Sequence, residues 1–123
     1  MQRSSTTDRG QPKRGEIWMV RFEPQVGREI MKVRPAVVIS ARSLEHLPLR
    51  IIVPIRELRE IRTMHATFIP VEPTSGNGLK KDSMIDVAQV HSFDIQRFQR
   101  LLGHLDESIL ERVVIALHQA VGE

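Results

Sequence analysis

The sequence predicts a mainly β domain with one C-terminal helix, a small, strongly bent barrel or sandwich with that helix packed on it. Three observations carry this reading. Short apolar runs alternate with turn residues from Gly15 to Ala88, and period-3.6 patterning is confined to the last seventeen or so residues. The chain, at 123 residues with 41% hydrophobic and 27% charged side chains, fits one globular core.

The elements follow in order. Residues 1–13 are polar, lack hydrophobic periodicity and read as a loose tail, leaving residues 14–123 as one domain. Glu16 to Phe22 alternates, with Trp18, Val20 and Phe22 on one face, as in a half-buried strand closed by Glu23-Pro24. A loop through Gly27 and Lys32 leads to Arg34-Pro35 and the β-branched run Ala36 to Ser40, the pattern of a central strand buried on both faces. Ile51 to Val53 reads as a third strand, ended or bent at Pro54. Arg56 to Arg62 reads as a charged loop or short helical turn. Ala66–Val71 and Ser83–Ala88 are two further strands around the turn signal Pro73 to Gly78, and Ser92–Gln99 reads as a short helix. Asp106 is placed to cap a final helix bearing Ile109, Leu110, Val113, Val114 and Leu117 on one stripe, closed by Gly122.

Composition narrows the chemistry. With no cysteine, disulfides, thiolate metal sites and cysteine nucleophiles are excluded, and the chain suits a reducing cytoplasm. No segment approaches the roughly 20 apolar residues of a membrane span, and the N-terminus lacks a secretory pattern. The five histidines form no ligand-spaced pair, and no phosphate-binding or dinucleotide glycine motif is present, so neither a metal nor a nucleotide cofactor is expected. The formal charge is +3, yet residues 1–65 hold 13 Lys and Arg against 7 Asp and Glu, whereas residues 66–123 hold 5 against 8. That basic half suits a polyanion. Trp18 reads as core rather than as a stacking platform. By spacing alone the run Arg56, Arg59, Arg62 is a solvated face, and Glu29 with Arg34 is either a surface ion pair or a proton acceptor beside a phosphate clamp.

Residues 14–40 contain Arg-Gly-Glu-Ile-Trp, Phe-Glu-Pro, Gly-Arg-Glu and Val-Arg-Pro-Ala-Val-Val-Ile-Ser in the spacing that opens MazF/PemK toxins. Val53-Pro54, Gly78-Leu79-Lys80-Lys81-Asp82-Ser83 and Gln89-Val90 resemble that family's later segments, so the resemblance extends over most of residues 13–121. It implies a small SH3-like barrel with a C-terminal helix, working as a homodimer. It also implies sequence-specific, metal-independent cleavage of single-stranded RNA, and a cognate acidic antitoxin that folds over the site.

Residue by residue, the resemblance makes Arg34 the strand-opening arginine that stabilises charge and Glu29 the candidate general base. The family's threonine after the third strand is absent, and Arg56 stands in its place. Either the Arg56 guanidinium serves as a second donor, or this member is an impaired nuclease acting as an RNA- or protein-binding module. Thr63 is near enough in sequence to substitute if its loop folds back. Arg28, Lys32, Arg59, Arg62, Lys80 and Lys81 are the candidate RNA contacts.

Overall fold

A computed structural model describes residues 10–22 and 32–122. Within them are seven strands: β1 (Glu16–Phe22), β2 (Lys32–Val38), β3 (Leu49–Glu57), β4 (Phe68–Val71), β5 (Ser83–Asp86), β6 (His91–Asp94) and β7 (Phe98–His104). One helix, α1 (Glu107–Val121), follows. All pairings are antiparallel, in the order β4-β5-β3-β2-β1-β7, with β6 also on β3. The expected mainly β domain with a terminal helix is the observed one, as a bent sheet wrapped about its core and left open between β4 and β7.

The bend originates in β3. Its first half pairs with β6 as far as Ile52↔His91, and its second half pairs with β5 from Ile55↔Ile85. Pro54 falls in the gap between the two partners, where an absent N–H costs no ladder bond. The strand therefore bends at Pro54 and runs on to Glu57, so Arg56 belongs to a strand rather than to a loop. Only Leu58–Glu60 forms the expected helical turn.

β2 and β3 separate at the same level. Their last pair is Ala36↔Pro54, and Ile39 N donates to Ile51 O, so the odd-numbered residues carry this ladder. Pro35 would donate next and cannot. Two prolines thus open a fork, with Val33 and Arg34 on one tine and Ile55 to Glu57 on the other.

Cross-strand register assigns the faces. Ile17, Val37, Val53, Ile55, Ile69 and Ile85 line one face and meet Leu110, Val113 and Ala116 of α1, which packs on β4 and the turn Val87–Gln89. Trp18, Val20, Ala36, Val38 and Ile52 line the other, covered by Phe22, Phe93 and Phe98. Trp18 is core, as expected from its alternation. Asp106 occupies the N-cap position of α1, but its side chain makes no capping bond.

The segment Ser92–Gln99 is not a helix. It contains most of β6, a turn Ile95–Arg97 initiated by Gln96 N donating to Asp94 Oδ1 at 2.8 Å, and the start of β7. Long-range pairing with Leu49–Ile52 and with β1 overrides the local pattern. The fully buried Arg50 of β3 ties down the chain ahead of β1, donating through Nε to Pro12 O at 2.8 Å and through Nη1 to the Leu47 and Leu49 carbonyls, each at 2.8 Å. Arg14 donates to the Ile39 carbonyl.

Candidate functional site

The fork between β2 and β3 opens into a cleft of about 620 Å³. Its apolar wall is Met19, Val33, Pro35, Ile55, Leu79, Leu101 and Leu102, and its charged rim is Arg34, Lys80, Lys81 and Arg100 facing Glu57 and Glu60. Glu57 is already engaged by Arg59 Nε at 2.7 Å, so the rim keeps an excess of positive charge.

Local structure fixes the rim. The Pro73–Gly78 turn expected from sequence is held by the buried Asn77. Its Oδ1 accepts from Thr74 N (3.0 Å) and Leu79 N (2.9 Å), and its Nδ2 donates to Glu72 O (2.8 Å). This turn lies against β7. His104 N donates to Gly76 O at 2.8 Å, and a Cβ on Gly103 would overlap the Gly76 carbonyl oxygen and approach Asn77 Cα to 2.9 Å. Gly78 adopts φ 71°, with no room for a side chain beside the Leu102 backbone. The chain leaving this turn delivers Lys80 and Lys81 to the cleft, and Ser83 Oγ donates to Lys81 O at 2.8 Å.

Arg34 is half-buried and lines the cleft. Its register partner is Val20, and its Cζ lies 5.9 Å from the Phe22 ring centroid. Arg56 stands, like Arg34, two residues beyond the Ala36↔Pro54 pair, so both project from the same sheet face on opposite tines. Arg56 does not line the cleft. Its Nη1 meets Asp86 Oδ2 at 3.4 Å, with Asp86 fully buried and the Arg56 side chain 31% exposed. Arg56 Nε and Asp86 Oδ1 are buried without partners in this arrangement.

Of the other sequence candidates, Glu29 and Arg28 lie outside the described residues, and Lys32 is described through its backbone pairing with Phe22. Arg59, Arg62 and Thr63 are exposed and do not line the cleft. Sequence reading missed Arg100, Glu57 and Glu60. Arg100 pairs with Met19, and recognising Phe98–His104 as a strand opposite β1 was the signal that would have found it. Among the described residues no group of three or more His, Asp or Glu side chains is placed to hold a metal ion. The cleft offers guanidinium and ammonium donors, two carboxylates and an apolar wall, a combination suited to binding and polarising a phosphodiester.

The chain is similar to known proteins along nearly its whole length. It is 28% identical over 105 residues to the endoribonuclease EndoA of Bacillus subtilis, covering 85% of this chain and 90% of that protein. Its fold matches MazF from Deinococcus radiodurans with a TM-score of 0.73, at 20% identity, over 92% of this chain and 98% of that one. It also matches a mycobacterial endoribonuclease solved in complex with its cognate antitoxin, with a TM-score of 0.69, at 16% identity, over 90% and 95% of the two chains. The model of the PemK-like, MazF-like toxins of type II toxin–antitoxin systems matches residues 13–121, and this chain belongs to that family.

Proposed function

We propose that this chain is the toxin of a type II toxin–antitoxin system and cuts single-stranded RNA at specific sequences, without a metal, by attack of the ribose 2′-OH on the adjacent phosphate. The observation that carries this reading is the cationic cleft at the β2–β3 fork, where Arg34, Lys80, Lys81 and Arg100 surround an apolar wall. The endoribonuclease name of the Bacillus relative supports it.

In this reaction the 2′-oxygen forms a bond to phosphorus, the bond to the 5′-oxygen breaks, and the products are a 2′,3′-cyclic phosphate and a 5′-hydroxyl. The 2′-OH must lose a proton and the leaving oxygen must gain one. Charge building on the phosphoryl oxygens is the step a preorganised guanidinium serves best, and we assign it to Arg34, whose backbone is fixed between β1 and Pro35. Glu29 takes the 2′-OH proton. Arg56, anchored by Asp86 on the same face, is the second donor. Lys80 and Lys81 hold flanking phosphates, with Arg28, Lys32, Arg59 and Arg62 on the approach. The working unit is a homodimer in the cytoplasm, and the half-exposed Val33 and Leu101 of the cleft wall are apolar surface that a second subunit would cover. A cognate acidic antitoxin segment would occupy the same cationic rim, as its charge requires.

A second reading has one observation in its favour. Asp86 neutralises Arg56, so the position where the family carries a hydroxyl is occupied by an ion pair. That is compatible with a barrel that binds RNA or protein and cleaves poorly. Incubating the purified protein with a long RNA in EDTA and mapping the ends decides between them. Discrete cuts bearing 2′,3′-cyclic phosphate and 5′-hydroxyl ends are expected. Intact RNA from a preparation freed of antitoxin would favour the binding module.

A further inference from the structure

The chain contains one Trp, four Phe and no Tyr, and four of these five rings gather on one sheet face. Trp18 lies buried at the base, with Phe98 edge-on to it at 6.0 Å. Above them Phe22, Phe93 and His91 form a half-buried cluster. The Phe22 and Phe93 centroids are 5.1 Å apart at 75°, those of Phe22 and His91 5.8 Å apart at 89°, and those of His91 and Phe93 4.9 Å apart at 34°.

A guanidinium stands at each end of this cluster. Arg34 Cζ is 5.9 Å from the Phe22 centroid, and Arg97 Cζ is 4.7 Å from the Phe93 centroid. Arg97 is steadied by Nη1 donating to the Arg21 carbonyl at 3.1 Å. His91 Nδ1 lies 2.7 Å from the Gln89 carbonyl. A carbonyl only accepts, so Nδ1 carries the hydrogen and Nε2 is the acceptor of the neutral ring. Closing the end of this apolar core requires neither a histidine nor flanking cations. Half-exposed rings bracketed by arginines are the surface on which single-stranded bases stack while their phosphates are neutralised. Arg34 belongs to both this cluster and the cleft, so a base resting on the cluster would adjoin a phosphate held by Arg34.

We infer that Phe22, His91 and Phe93, with Arg34 and Arg97 at their ends, form a stacking subsite for the nucleobase adjoining the scissile phosphate of single-stranded RNA. The inference rests on the ribonuclease reading above. It assigns these rings to base binding, and it makes His91 Nε2 a polar contact to the base edge.

The test uses an uncleavable 2′-O-methyl oligonucleotide spanning the mapped cut, together with versions abasic at each position in turn. Phe93→Leu and His91→Ala should each weaken binding about tenfold, the order of one lost base–aromatic stack. That loss should vanish when the nucleotide beside the cut is abasic, with the fluorescence melting curve of the single tryptophan unchanged. A loss that persists with every abasic oligonucleotide, or binding equal to wild type, overturns the subsite. Should Phe93→Leu fail to fold, the half-exposed His91→Ala decides by the same criterion. If wild type cleaves RNA while both variants match it, the subsite alone falls. If wild type neither binds nor cleaves RNA, the ribonuclease reading falls with it.

Discussion

Replacing Arg56 by threonine, the residue the family places there, should destabilise the protein before it does anything to catalysis. Asp86 is 2% exposed, its Oδ2 has Arg56 Nη1 at 3.4 Å, and its Oδ1 has no partner. Deleting one member of a buried ion pair costs roughly 3–5 kcal/mol, because the other charge is left desolvated. Two features lower the figure here. The contact is longer than an ordinary charge-assisted hydrogen bond, and the Arg56 side chain keeps 31% of its surface in water. We therefore expect Arg56→Thr to lose about 2–3 kcal/mol. At about 3–5 °C per kcal/mol for a domain of this size, the melting temperature should fall by about 6–15 °C. Thermal and urea unfolding followed by the fluorescence of Trp18 measure it directly. Adding Asp86→Asn removes the stranded charge, so the double variant should regain most of the loss, giving a coupling on the order of 1–2 kcal/mol in a double-mutant cycle. An Arg56→Thr protein melting within about 2 °C of wild type would refute the reasoning, as would additive costs for the two changes. The cycle also governs how activity is compared, since only the double variant tests a hydroxyl at this position without an unpaired buried carboxylate.

Three further outcomes are expected. Gly103→Ala drives a Cβ into the turn at Gly76–Asn77, and it should cost about 1–3 kcal/mol by urea unfolding and weaken RNA binding by displacing the chain that carries Lys80 and Lys81; unchanged stability would contradict the packing. Lys80→Ala and Lys81→Ala should each lower the slope of log affinity against log salt by about 0.7, the value for one phosphate contact on a single strand, and an unchanged slope would remove that lysine from the interface. Sedimentation at micromolar concentration should give a homodimer, and Leu101→Asp, on an exposed apolar position, should shift it toward monomer; a wild-type monomer at all concentrations would exclude the two-subunit arrangement.

The parts of the fold legible in the sequence were those with a strong local signature. The alternation of Trp18, Val20 and Phe22, the β-branched run after Pro35, the Asn-Gly turn and the 3.6-residue stripe of α1 all encode their own geometry. β6 and β7 do not. Four residues from His91 to Asp94 carry no decisive period, and pairing with Leu49–Ile52 settles their state, a contact some forty residues away in sequence. Missing β7 concealed Arg100, whose place at the cleft comes from its register with Met19. Arg34 was singled out by the resemblance of Val-Arg-Pro-Ala-Val-Val-Ile-Ser to the family's opening block, since by spacing alone it read equally well as half of a surface ion pair. The pairing of Arg56 was not, because Asp86 is thirty residues distant and reaches Arg56 only across the β3–β5 ladder. The aromatic and arginine cluster escaped for the same reason, being assembled from β1, β2, β6 and the turn after β6.

The central claim is that Arg34 stabilises charge on the reacting phosphate, and single-turnover cleavage of a mapped RNA in EDTA tests it most directly. Arg34→Ala should reduce the chemical rate on the order of 100-fold or more, the loss seen when one preorganised donor is removed, with far less change in RNA affinity. Arg34→Lys should recover only part of that rate, since an ammonium keeps the charge but not the planar fork of donors. A wild-type rate in Arg34→Ala, or a loss confined to RNA affinity, would contradict the account.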